Sequence, residues 1–313
     1  MAQNVQTKKI KASHEGAFGR MTRGDIAFEI TIAILLAILC LIILYPLWYV
    51  LIASFSDPLK VIGGQVWWRP VGFTFDNYGE CFKNGDLMIG YRNSLCILFL
   101  GTATNLFLTI LCAYPLSRRE LWGKEALMGF AVFPMFFSGG LIPTYLLVTK
   151  TLGLKNSWWA VILVGGIATY NMIIMRTFFS ESIPYELQEA AMIDGCSPFG
   201  ILVRIILPLS IPVICVIGLY YGVFLWNSYF QSLIYLSDQK KWPLQLFLRQ
   251  ILINNEQSGQ AGGASSDEMA KRAIRAETIK YSIVVLASIP MLIIYPFVQR
   301  YFIKGVMIGS VKG

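Results

Sequence analysis

Residues able to do covalent chemistry are sparse in this chain and badly spaced for it. The one histidine, His14, sits in a polar N-terminal stretch. A zincin motif needs two histidines and a Ser-His-Asp triad needs one held in place, so both are excluded. The six cysteines, Cys40, Cys81, Cys96, Cys112, Cys196 and Cys215, contain no CxxC pair. They read as small core hydrophobes, which supports neither a disulfide scaffold nor a metal site. No GxxxxGKS/T loop is present, so ATP hydrolysis linked to this chain must come from another subunit.

The spacing that does carry information lies in residues 181–208, and its chemistry is that of docking. Pro184 suits the first turn of a helix, and Glu186 falls near that helix's positive end. Gly195 is placed to close the helix in a left-handed conformation. Ser197-Pro198 then reads as an N-cap followed by proline at the first helical position of a second short helix. Leu207-Pro208 ends this second helix. Ala190 and Ala191 give the first helix a shallow face that a partner's surface can approach closely.

The elements that must hold this segment are set by composition. Of 313 residues, 56% are hydrophobic and only 14% charged, and the mean hydropathy is +0.59. A soluble domain carries about 25% charged residues. A soluble enzyme and a disordered regulator are therefore excluded. The net charge of +8 fits topology signals and anionic lipid, not nucleic acid. A bilayer core of about 30 Å needs roughly 20 apolar residues in a helix. Uncharged stretches of that length occur at 30–56, 93–117, 126–149, 156–175, 205–237 and 281–299. The expected fold is all-α, an integral membrane protein with six spans at about 26–55, 93–117, 126–149, 156–178, 207–236 and 279–300. The short alternating segments of a β-barrel are missing, and the first apolar run is too long for a signal-peptide core.

Six spans put both termini on one side. Lys8, Lys9, Lys11, Arg20 and Arg23 precede the first span, and Arg118, Arg119 and Lys124 occupy the short loop 117–124. Short basic loops face the cytoplasm. Tails 1–25 and 305–313 and the segment 181–208 are thus expected there, with outer loops at 57–92 and 238–277. The second outer loop combines a flexible Gly/Ser-rich stretch, 259–266, with a short interfacial helix over 242–251. Aromatic residues Trp48, Tyr49, Trp67, Trp68, Trp158 and Trp159 fit an interfacial belt. No carboxylate lies in the interior of a span, which argues against a proton-coupled carrier.

Glu189-Ala190-Ala191, Gly195, Ile205 and Leu207-Pro208 match every fixed position of the signature loop of binding-protein-dependent ABC importer permeases. The chain resembles that family over essentially residues 20–313. The lead-in Ile183-Pro184-Tyr185-Glu186-Leu187 and the step Ile193-Asp194-Gly195 look like its carbohydrate branch, the maltose-type permeases. The C-terminal run 299–313 is similar to the tail of the second, G-type permease of that branch. The segment 243–251 is similar to permeases for complex polysaccharide fragments.

The resemblance implies a type I importer permease in the cell membrane, paired with a second homologous permease. Two copies of an ABC ATPase would hold the ATP and Mg, and this chain would bind no cofactor or metal. An extracellular or lipid-anchored sugar-binding protein would deliver the substrate. Glu189, Ala190, Ala191, Asp194, Gly195, Leu207 and Pro208 would form the coupling site, with Glu189 meeting a basic group of the ATPase. The tail 305–313 would touch the ATPase dimer, and the 238–277 loop has the length to reach into the binding protein.

For a sugar pathway, Tyr220, Phe224, Asn227 and Gln231 fall at helical spacing on one face of span five. They offer the usual mix of apolar lining and a few polar groups. The same face also reads as helix–helix contact, with Asn227 and Gln231 bonding between helices. Asn105, Tyr170 and Asn171 are further pathway candidates. Import of another solute class, an amino acid or polyamine, is the alternative. A membrane-bound glycan enzyme is opposed by the lack of any catalytic constellation.

Overall fold

The computed structural model describes residues 23–258, 279–296 and 299. His14, four of the N-terminal basic residues, the 259–266 stretch and the 305–313 tail fall outside these. Every regular element among the described residues is helical. The chain divides into two compact units, Met1–Phe73 and Thr74–Gly313.

In the first unit, helix α1 (Arg23–Ser54) is apolar on every side. Its 32 residues reach about 48 Å at 1.5 Å per residue, well beyond the hydrocarbon core. The chain after α1 folds back along it. Trp48 Nε1 donates to the Trp68 carbonyl at 3.1 Å, and Tyr45 lies against Trp68 with ring centroids 5.1 Å apart. Ser56 Oγ accepts from Val71 N–H at 3.2 Å. Asp57 caps the short helix α2 (Pro58–Ile62) by accepting from Leu59 N–H at 2.9 Å.

The second unit is built on one long helix. After α3 (Asp76–Lys83), the Asn84 side chain caps α4 (Gly85–Ser117) by accepting from Asp86 and Leu87 amides at 3.1 and 3.4 Å. The buried positions of α4 include Gly90, Ser94, Ile97, Gly101, Asn105 and Thr109, a helical period. Its buried stripe is small and polar. Gly90 and Gly101 allow the closest approaches, since a Cβ at either would stand 2.6 Å from a neighbour, Phe247 Cδ2 or Leu225 Cδ1. Small residues at such seams let helices approach in lipid, where no hydrophobic effect drives them together.

Among the described residues three of the six apolar stretches form single helices: α1, α4 and the last helix, Ile279–Pro296. The other three are interrupted. The 126–149 stretch is a bent pair, α5 (Lys124–Phe136) and α6 (Leu141–Thr151), at 114°. Pro134 removes a ladder donor near the end of α5, and Gly140 takes φ +86° between the helices. The 156–178 stretch is α7 (Trp158–Leu163) and α8 (Thr169–Glu181), with residues 164–168 unwound.

Helix α9 (Tyr185–Ile193) follows, then α10 (Pro198–Leu209), which bends by 82° into α11 (Ile211–Trp226). The 207–236 stretch therefore begins at the end of α10. It is interrupted again at Asn227-Ser228 before α12 (Tyr229–Tyr235). Helix α13 (Leu244–Ser258) occupies the expected interfacial segment, and α14 (Ile279–Pro296) closes the described chain.

One buried hydroxyl seals the 164–168 break. Tyr221 OH on α11 accepts from Ala168 N–H at 3.0 Å. It also lies 2.7 Å from Thr109 Oγ1 on α4, which itself donates to the Asn105 carbonyl at 2.7 Å. Tyr221 OH is thus the donor to Thr109. Helix α14 is held similarly, by Trp226 Nε1 to the Ala287 carbonyl and Tyr91 OH to the Leu286 carbonyl, both at 3.1 Å.

All six cysteines are free. Cys40 and Cys96 are exposed, which corrects their reading as core residues: both sit on apolar helices whose outer sides suit lipid. Burial, and secondarily Glu80, pushes the Cys81 thiol up to about 11.

Tyr221→Phe deletes the donor to Thr109 and the acceptor for the Ala168 amide together. The expected loss is about 1 kcal/mol, the size of hydrogen bonds measured inside membranes. It should register as a lowered unfolding midpoint of the detergent-solubilised protein.

Candidate functional site

The segment 181–208 folds as two short helices joined by a tight reversal. Pro184 stands one position earlier than expected, at the N-cap of α9 with ψ 132°, and Glu186 lies in the first turn. At the other end Gly195 has φ +75°. Its amide donates to the Met192 carbonyl at 3.0 Å and the Cys196 amide to the Ala191 carbonyl at 2.9 Å. These two bonds form a Schellman closure, which satisfies the last carbonyls of α9. Ser197 Oγ then accepts from Gly200 N–H at 3.2 Å, with Pro198 opening α10.

Leu207-Pro208 does not interrupt the ladder where it stands. Residues Leu202–Ile206 form a wide turn in which the Leu207 amide reaches back to the Leu202 carbonyl. The added residue gives room for a proline ring that would otherwise meet the preceding turn. The chain turns only at Ser210.

A cluster of side chains from the end of α4 and the following loop holds α9. Arg118 donates to Gln188 Oε1 and lies 3.5 Å from Met192 Sδ. It also lies 3.5 Å from Glu120, a partner it shares with Tyr185, whose hydroxyl donates to Glu120. Arg119 sits 4.5 Å over the Tyr185 ring. Tyr114 OH donates to the Pro198 carbonyl at 2.9 Å, and Arg176 Nε to the Leu116 carbonyl at 3.2 Å. Burial lowers the Lys124 ammonium from its usual range; Arg176 and Arg119 add to this, and Glu120 opposes it. Sequence reasoning missed this clamp; its one local signal was Gln188, a polar residue facing inward within the motif.

The motif divides by face. Glu189, Ala190, Asp194, Gly195 and Pro208 are exposed. Ala191 is buried, and Ile205 and Leu207 are packed against the same apolar cluster. Ala191, expected on the partner-facing surface, is therefore corrected to a buried member of that cluster. The exposed face gains apolar residues that were not anticipated: Leu187 is 45% exposed, Phe199 69% and Ile193 87%. Apolar side chains standing out from a polar rim mark a surface built to be covered.

The pathway candidates separate. Asn227 terminates α11 and its Nδ2 donates to the Val223 carbonyl of its own helix at 2.9 Å. Gln231 lies on α12, beyond the interruption. The shared face of four residues is thus corrected to one holding Tyr220 and Phe224, both exposed. Phe224 reaches the 164–168 break, where its ring atoms would stand 3.0 and 3.2 Å from a Cβ on Gly165. Asn105 comes to the same break, 3.5 Å from a Cβ position on Gly166. It is fully buried, and neither of its amide atoms has a hydrogen-bond partner among the described residues. Tyr170 is 60% exposed at the start of α8, and Asn171 is buried.

Residues 94–308 match the family described as the binding-protein-dependent transport system inner membrane component. The chain belongs to this family. The permease is 43% identical over 287 residues to the polygalacturonan/rhamnogalacturonan transport system permease protein YtcP of Bacillus subtilis, covering 91% of this chain and 98% of the relative. It is 39% identical over 292 residues to protein LplC of the same organism, covering 93% and 97%. A solved bacterial ABC transporter for import of the acidic polysaccharide alginate contains a chain 30% identical to the permease. That chain aligns with a TM-score of 0.81, over 90% of this one and 99% of its own length. The permease is thus a membrane-embedded transport subunit of the type I importer fold.

Gly195→Ala adds a Cβ that meets nothing within 4 Å, so its effect is that of the left-handed backbone alone, about 1–2 kcal/mol. Gly195→Asn should recover much of this. Hydrogen exchange of the α9 amides should speed up in the alanine variant and less so in the asparagine variant.

Proposed function

We propose that this permease forms half of the translocation path of an ATP-driven importer for oligosaccharides or polysaccharide fragments. A second, homologous permease supplies the other half. Two ABC ATPase subunits hold and hydrolyse ATP with Mg beneath them, and an extracellular or lipid-anchored binding protein delivers the sugar. The observation that carries the substrate class is the 43% identity, over nearly the full length of both chains, to a polygalacturonan/rhamnogalacturonan permease. The named relatives lend no support to an amino acid or polyamine as solute.

In this reading both termini and the segment 181–208 are cytoplasmic. The exposed face of α9 and α10 then seats in a cleft of the ATPase. Ile193 and Phe199 supply the apolar contact, Glu189 a charge for a basic partner, and Ala190 a place of close approach. Movement of the ATPase pair shifts α9, and the Arg118 and Tyr114 bonds carry that shift into α4. Because α4 lies against α8, α11 and α13, it distributes the shift through the unit. The coupling is then a two-state element biased by a partner's nucleotide state. For the sugar, the 164–168 break with Phe224 and Asn105 beside it combines an aromatic wall with an amide. Broken helices of this kind commonly border transport sites.

Purification of the permease expressed with its genomic neighbours should bring down an ATPase and a second permease in stoichiometric amounts. A chain that purifies alone in every condition would end this reading. Glu189→Lys should insert normally yet reduce sugar uptake by at least about tenfold, since like charges across an interface repel strongly. Uptake of labelled oligosaccharide by cells carrying the variant checks this.

A further inference from the structure

A cavity of about 350 Å³ lies between α12, α13 and α14, toward the lower end of the roughly 300–1,000 Å³ of small-molecule sites. Its wall combines Arg249, Lys280, Tyr229 and Gln245 with the apolar Leu248, Ile251, Ile283 and Val284, and none of these lining residues is acidic. Gln245, Leu248 and Arg249 share one face of α13 by their spacing. The Arg249 guanidinium stands 5.2 Å over the Tyr229 ring, a contact that orients its fork of donors.

The wall is firmly built. Leu244 N–H donates to the buried Ser94 Oγ at 2.9 Å, and Asn93 Nδ2 donates to the Lys240 and Trp242 carbonyls at 2.8 and 2.9 Å. These bonds fix the start of α13 to α4, and Phe247 fills the space over Gly90. Arg249 therefore begins from a rigid base little more than a turn away.

We propose that this cavity is an anion-recognising subsite, and that its ligand is the carboxylate of an acidic, uronate-type saccharide. This rests on the carbohydrate-importer reading above. A planar carboxylate matches the two parallel donors of a guanidinium, and Lys280 adds a second cation. Tyr229 and Gln245 carry the groups that hydroxyls need. The apolar C–H face of a pyranose ring lies against Leu248, Ile251 and Val284. The permease itself then selects acidic over neutral sugars, in addition to whatever selection the binding protein makes. An anionic lipid headgroup would present the same charge to the same two cations, so the test must separate the two sources.

The assembled importer, reconstituted in phosphatidylcholine nanodiscs, is titrated calorimetrically with trigalacturonate and with its methyl ester. The acid should bind at least about tenfold more tightly than the ester, as charge-assisted bonds require. Arg249→Gln should remove about tenfold of that preference, weaken binding of the acid more than that of the ester, and still co-purify with the ATPase. Arg249→Lys should restore part of the preference.

Equal binding of acid and ester, or an unchanged preference in the assembled Arg249→Gln complex, would overturn the subsite. Release of a co-purified anionic lipid by Arg249→Gln, seen by mass spectrometry with the preference unchanged, would assign the cavity to lipid and likewise overturn it. Cellular uptake of either saccharide form in the wild type reports separately on the importer reading. Uptake without acid–ester discrimination would remove the subsite alone, and no uptake of either would remove both.

Discussion

The bilayer offers no water to an unwound backbone, and this constraint organises the second unit. Three apolar stretches are interrupted, at 137–140, 164–168 and 227–228, and every interruption frees amide and carbonyl groups that lipid cannot satisfy. At 164–168 the answer is the Tyr221 hydroxyl, which serves the Ala168 amide and Thr109 together. At 227–228 the Asn227 amide turns back onto its own helix. Helix α4 makes the first of these possible, because its small, polar buried stripe lets neighbours approach closely and meets them with hydroxyls and amides. An ordinary leucine-rich stripe would fill space but leave that break unsealed.

The family motif serves two purposes that its sequence alone does not separate. Ala191, Ile205 and Leu207 bind the segment to its own core, while Glu189, Ala190, Asp194 and Gly195 remain on the surface. Gly195 belongs to the second group by position but acts on the backbone, since only its left-handed turn brings α10 round behind α9. The residues that stand out furthest, Ile193 and Phe199, are outside the fixed positions of the motif. The exposed side of the segment thus combines a fixed backbone geometry with apolar side chains that the motif does not specify.

Much of this was legible beforehand. Every charge-free stretch contains helix among the described residues, and cap chemistry read correctly at Gly195 and Ser197 because those signals are local. The interruptions at 164–168 and 227–228 were not legible. Neither contains a proline; the first is held by the distant Tyr221 hydroxyl, and the second by Asn227 turning back onto the Val223 carbonyl. The four-residue face of span five failed for the same reason, as helical spacing holds only where the helix is continuous. The Arg118 clamp joins residues 70 positions apart, a distance that no period in the sequence reveals. Arg249 is an exposed cation on a largely apolar helix, where a charge on the outer side looks ordinary, and only the fold places it with Tyr229 and Lys280.

The wide turn at Leu202–Ile206 also sets a phase. It holds one residue more than an α-turn, so the rest of α10, up to the bend at Ser210, is rotated by about 100° around its axis relative to an unbroken ladder. Leu207, packed against the apolar cluster, owes its inward orientation partly to that offset. The side that α10 turns toward its own core is therefore written in a residue count. Lengthening or shortening this turn by one would leave every side chain in place in the sequence and still turn the end of α10 away from that core.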